Sequence, residues 1–179
     1  MALGFDTGAC RDALPILKFD ASAGRFLRVD RYETRRQFID ITENFHAAID
    51  MERLEVGWML FGQGIAPDMR LFPVGTPWTQ APTVLHRRGL RAVLQLDPAA
   101  GGGVREICST ASGFLRAFDS LHDAWLSARG ENVGRLPVVS VAGFTPLHGG
   151  PVGVARVSYQ PDFVITGWVD RPDALALNN

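Results

Sequence analysis

The sequence predicts a mainly β (α+β) domain carrying one amphipathic helix between two blocks of strands. Three observations lead there. Most apolar segments alternate with polar residues at a period of two, as in Leu54, Val56, Trp58 and Leu60. One segment, at about 112–128, repeats at the helical period instead. Glycine and proline punctuate the chain at short intervals, as turns between strands require.

Taken in order, residues 1–13 contain Gly4 and Gly8 and no basic segment leading into an apolar one, so a flexible start without a secretory signal is expected. Leu14 to Phe19 reads as a first strand at a sheet edge, because Pro15 has no amide to donate. Arg25 to Tyr32 and Phe38 to Thr42 read as half-buried strands. Phe45, Ala47, Ile49 and Met51 share one parity, and Leu54 to Leu60 resume the alternation after Glu52-Arg53. Two strands joined by a tight turn fit this stretch. A helix would set Asp50, Glu52 and Glu55 against the apolar stripe. Residues 62–89 are loop-rich, with one short strand at Met69 to Val74, and long loops of this kind often carry function. Leu90 to Leu96 and Val104 to Ser109 are further strands.

The helix follows. At 100° per residue, Phe114, Phe118, Leu121 and Trp125 fall on one face, and Arg116, Asp119, Ser120, Asp123 and Ser127 on the other. Thr110 or Ser112 is placed to cap its start, and Gly130 to end it. Leu136 to Val141, Val154 to Tyr159 and Phe163 to Val169 close the domain as strands. A flexible loop is expected at 145–153, a bulge or edge at Pro161, and a free tail at 173–179. The whole chain, 1–179, reads as one domain with its core at about 14–172. Strands, a helix, then strands is the order of an OB-like barrel of five or more strands plugged by a helix.

Net charge is −1, so the broadly basic footprint of a duplex-DNA binder is missing. Of eighteen basic residues only Lys18 is lysine. GC-rich coding produces such a bias, and so does selection for guanidinium groups that stack on bases and fork onto phosphates. Cys10 and Cys108 form no disulfide framework and no CxxC motif, so free thiols in a reducing compartment are expected, with no zinc platform. No apolar run reaches the ~20 residues of a membrane helix.

No nucleophile elbow, phosphate loop or metal-binding histidine spacing occurs, so neither catalytic residues, nor a metal, nor a cofactor is expected. Asp50, Glu52 and Glu55 are the one acidic group of the kind a metal-dependent nuclease uses, and the simpler reading is the solvated tip of a strand turn. Two basic patches stand out. Arg25, Arg28, Arg31, Arg35 and Arg36 interleave with Tyr32 and lead to Phe38. His86, Arg87, Arg88 and Arg91 follow Trp78. Arginines for phosphates and aromatic rings for bases are what sequence-tolerant single-strand binding needs. Arg156 and Tyr159 on the closing strands would extend that surface, and Trp168 is more simply core.

The strand order, the late helix and the closing segment Tyr159-Gln160-Pro161-Asp162-Phe163-Val164-Ile165-Thr166-Gly167-Trp168 resemble phage and prophage single-stranded DNA-binding proteins with OB-folds. The resemblance covers about residues 14–172 and is architectural. It implies a cytoplasmic role in the bacterial host, organising single strands in replication or recombination, and a homo-oligomer. Such proteins usually end in an acidic tail, whereas residues 173–179 hold only Asp173 as an acid. The alternative is a structural or oligomeric protein such as a virion component, with the loop bearing Phe72 and Trp78 as its contact.

Overall fold

The computed structural model describes residues 14–32, 35–62, 66–149 and 156–176. Its elements are β1 (Ile16–Asp20), β2 (Arg25–Tyr32), β3 (Arg35–Asp40), β4 (His46–Ile49), β5 (Glu55–Leu60), β6 (Asp68–Pro73), β7 (Arg87–Leu96), β8 (Val104–Ser109), α1 (Ser112–Ala128), β9 (Arg135–Gly149) and β10 (Arg156–Asp170). All the strands belong to one mixed sheet in the order β10-β9-β4-β7-β8-β1-β2-β3, with β5 beside the start of β7 and β6 outside β5. The β1–β8 pair is parallel, and the other described pairs are antiparallel.

The mainly β class and the one α-helix among the described residues, at 112–128, agree with the sequence pattern. The barrel does not follow. β3 and β10 are the two ends of the strand order and do not pair with each other among the described residues. Eight described strands precede the helix. The sheet is nevertheless strongly rolled. β2 and β10 stand six places apart, about 29 Å on a flat sheet. Yet the rings of Phe26 on β2 and Phe163 on β10 lie 6.1 Å apart. One backbone bond, from Tyr159 N–H to Ala21 O at 2.7 Å, ties β10 to the β1–β2 turn.

Helix α1 lies on the inner face of this roll. Phe114, Phe118, Leu121 and Trp125 pack with Phe19, Phe26, Phe45 and Ile107 in one core. Each of those four helical side chains contributes roughly 1.5–3 kcal/mol by leaving water. Neither expected cap forms. The residue before the helix is Ala111, with extended φ −70° and ψ 122° and no side-chain acceptor. Ser109 Oγ instead accepts from Ala111 N–H at 3.2 Å.

Five further expectations change. β1 is interior, flanked by β2 and β8, because Pro15 precedes the strand and leaves its ladder intact. β4 and β5 do not form a hairpin. Both run antiparallel to β7, β4 along Leu94 to Leu96 and β5 along Arg87 to Arg91, so a 3-10 turn at Met51–Arg53 carries the chain from one to the other along the same neighbour. The expected loop at 145–153 is strand as far as Gly149, and its remainder lies outside the described residues. β10 is one long end strand containing Pro161, with irregularities at Asp162/Phe163 and Ile165/Gly167. Finally, the tail expected from 173 starts with a 3-10 turn at Asp173–Leu175, and Leu175 is buried with Val93 and Leu136 on the outer face of the sheet.

Candidate nucleic-acid interface

The β2–β3 hairpin holds the first patch. Its register sets Arg31 opposite Arg36, Tyr32 opposite Arg35 and Val29 opposite Phe38. Arg31, Arg36 and Phe38 therefore share one face, and Tyr32 and Arg35 share the other. Tyr32 is 72% exposed and Phe38 54%, with Lys18 Nζ 6.0 Å from the Phe38 ring. Like charges directly opposite each other on a sheet are destabilising in the absence of an anion.

Not every arginine of the patch is available. Arg25 pairs with Asp40 at 3.6 Å. The Thr42 hydroxyl, helped by its amide and by Arg25, holds the Asp40 carboxyl below its ordinary range. Arg28 Nε lies 2.9 Å from Asp30 Oδ2, and its Nη1 donates to Ala100 O. A Cβ on Gly101 would overlap that guanidinium, so the glycine, at φ +96°, is what lets Arg28 turn inward.

Arg105 was missed from the sequence. It is buried, donating to Val29 O at 3.2 Å and to Asp30 Oδ1 at 2.7 Å, and its Nε has no partner among the described residues. The available signal was a charged side chain at the same inward parity as Ile107 on β8. Arg105 and Glu106 face the free end of β2 across a cleft of about 870 Å³, lined also by Arg31, Tyr32, Arg36 and Gln37.

The second patch sits at the β5–β7 corner. Trp78 is 41% exposed and fixed edge-on by Trp58 and Phe72, with ring centres 5.5 and 5.2 Å away. Trp58 Nε1–H donates to Thr79 O at 2.9 Å, which pins the loop. The Arg88 guanidinium lies 4.9 Å from the Trp78 ring. Arg87 is exposed beside it. Arg91 and His86 belong to the scaffold. Arg91 is held by Glu55 at 2.6 Å and Glu106 at 2.8 Å; burial opposes its charge, but these carboxylates outweigh that and raise its pKa. His86 is buried between Thr83 and Asp68.

The structure does not bring the two patches together. Arg88 pairs with Trp58 at the start of β7, near the level of Ser109 on β8, whereas the hairpin tip overhangs the opposite end of β8 at Arg105. Arg156 and Tyr159 line neither cleft. Arg156 is exposed on β10, and Tyr159 packs on Gly24, where an added Cβ would come within 3.1 Å of its ring. Trp168 is half-buried against the core.

The acidic group is not a solvated tip. Asp50 is fully buried and bound by Arg171 through both carboxylate oxygens, with Arg53 3.5 Å away. Glu52 also meets Arg171, at 2.7 Å, and Glu55 meets Arg91. No group of three or more His, Cys, Asp or Glu side chains suited to a metal occurs among the described residues. None of the described helices is long and apolar enough to cross a membrane. Cys108 sits between β7 and β1, and burial, with Glu106 adding to it, pushes its thiol up to about 12. Comparison of the chain with protein-family models, with curated proteins and with solved structures finds no match in any of the three.

Proposed function

We propose that this protein is a sequence-tolerant single-stranded DNA-binding protein, acting through the β2–β3 hairpin in the bacterial cytoplasm during phage or prophage replication or recombination. The observation that carries this reading is the Arg31–Arg36 pair, two exposed arginines set directly opposite each other on the face that bears exposed Phe38, with Tyr32 and Arg35 exposed on the other face of the same hairpin tip. Such a pair weakens the free hairpin and is relieved by an anionic chain. Arg31, Arg35 and Arg36 contact phosphates, and Tyr32 and Phe38 stack bases. No cofactor is needed. The rolled sheet with a helix on its inner face is what remains of the OB-like barrel expectation.

The test is a fluorescence titration with oligo-dT at two salt concentrations. Three phosphate contacts predict a slope of log K on log salt of about −2. Arg36→Glu converts the repulsive pair into an attractive one. Its expected result is slightly higher stability, by about 0.5 kcal/mol, together with much weaker oligo-dT binding. Unchanged affinity in Arg36→Glu refutes the hairpin as the contact surface.

A second reading is an oligomeric structural protein such as a virion component. It is favoured by β10, a 15-residue end strand with exposed Val157, Val164 and Val169. A long end strand is a template for pairing with a second copy. Light scattering on the purified protein separates the readings, since a stable ring or filament indifferent to oligo-dT supports only the second.

A further inference from the structure

We propose that the cleft between α1 and the β5–β7 corner is a one-base pocket, receiving a single unstacked nucleobase that carries an exocyclic amino group. The cleft holds about 340 Å³. That is the lower end of ligand-sized clefts, enough for one flat ring system. Its floor is apolar, from Leu54, Val56, Leu90 and Phe118. Its rim is charged with both signs, from Arg88, Arg116 and Asp119, with His122 beside them.

That combination selects among ligand classes. An aliphatic chain gains from the floor but nothing from three charged groups at the rim. A simple anion is attracted by Arg88 and Arg116 but repelled by Asp119. A nucleobase uses both, because its faces are apolar and its edges present donors and acceptors together. Trp78 and Arg88 supply the stacking surface, and indole and guanidinium planes are the groups on which unstacked bases settle. The surface is held in advance, since Trp58 and Phe72 both meet Trp78 edge-on, at 82° and 86°. Pre-organisation lowers the ordering cost of binding.

Asp119 gives the pocket its preference. It lies on the exposed face of α1, and no salt-bridge partner occurs among the described residues within 4.0 Å, whereas Arg116 is engaged by Gln160 at 3.2 Å. A carboxylate accepts from the amino group of cytosine, adenine or guanine. Thymine has none. The inference takes its ligand class from the single-strand reading, but its residues are separate from the hairpin.

The experiment compares oligo-dC with oligo-dT on the full chain in four forms: wild type, Trp78→Ala, Asp119→Ala and Arg36→Glu. Wild type is expected to bind oligo-dC several-fold more tightly than oligo-dT. Asp119→Ala, an exposed helical change, removes the preference, so that oligo-dC and oligo-dT bind equally. Trp78→Ala weakens both by about tenfold, the effect of one lost base stack, and leaves the salt slope unchanged. Arg36→Glu lowers affinity and slope but keeps the preference for oligo-dC. Equal binding of the two oligonucleotides by wild type, or a preference that survives Asp119→Ala, overturns the pocket while leaving the hairpin reading intact. Absence of any binding by wild type overturns both.

Discussion

At the scale of single residues, the most consequential contacts are ones where charge or polarity has been taken out of water. Asp50 is held by Arg171 and Arg53 beneath the C-terminal 3-10 turn. Removing one partner of such a pair leaves the other buried and uncompensated. Asp50→Ala is expected to cost about 3–5 kcal/mol in urea unfolding, far above an ordinary surface change. A loss under 1 kcal/mol would show that Arg171 finds water or another acceptor. Cys108 gives a prediction in pH. Its thiol titrates near 12 in the fold against 9.0 in the unfolded chain, because burial disfavours the thiolate. Between these values the unfolded chain ionises first, so the contribution of this thiol to stability is constant below about pH 9 and falls as pH rises above it. In a Cys10→Ser background the half-buried Cys108 should therefore react with a thiol reagent more slowly in the native protein than in the urea-unfolded chain. Rapid labelling in native buffer would contradict that burial. Neither Asp50 nor Arg105 was legible as a buried ion, because strand parity tells which way a side chain points but not which distant guanidinium it meets. Arg171 lies 121 positions from Asp50.

At the scale of elements, periodicity carried most of the information. The α1 stripe at 114, 118, 121 and 125 matches the buried face, and the bounds of β2 and β8 follow from alternation alone. Pairing was the part that stayed hidden. β4 and β5 alternate as a hairpin would, yet both are drawn along β7, whose ten residues are long enough to hold one on each half. Glycine and proline also misled at 145–149, where a long hairpin partner keeps Pro146 in strand conformation opposite Tyr159. The uncapped start of α1 offers a direct test. Ala111 already has the extended backbone of a capping residue but no acceptor. Ala111→Ser should stabilise the protein by about 1 kcal/mol, read as a rise in thermal midpoint. A lowered midpoint would mean that the methyl group's packing against the core matters more than the missing hydrogen bond.

At the scale of the whole molecule, the sheet separates what the sequence suggested was one surface. Of the two arginine segments, Arg31 and Arg36 line one cleft and Arg88 another, at opposite ends of β7 and β8, while Arg25, Arg28 and Arg91 are tied into the scaffold. A DNA strand reaching both clefts would have to cross the body of the sheet, so the proposed binding predicts two local sites rather than one continuous groove. Composition marked the residues; only the strand order decides their neighbours. That same order also constrains how the chain comes together. Ile16 pairs in parallel with Glu106, 90 positions later. A ribosome adding about 5–20 residues per second leaves one edge of β1 unmatched for on the order of ten seconds after it emerges. During that time the β1–β2 hairpin presents Leu17, Phe19 and Phe26 with neither the β8 ladder nor the helical plug to cover them. Non-local pairing of this kind places the molecule among slow folders, with refolding in milliseconds to seconds. Its early hairpin is accordingly the segment whose exposure during synthesis sets the risk of aggregation.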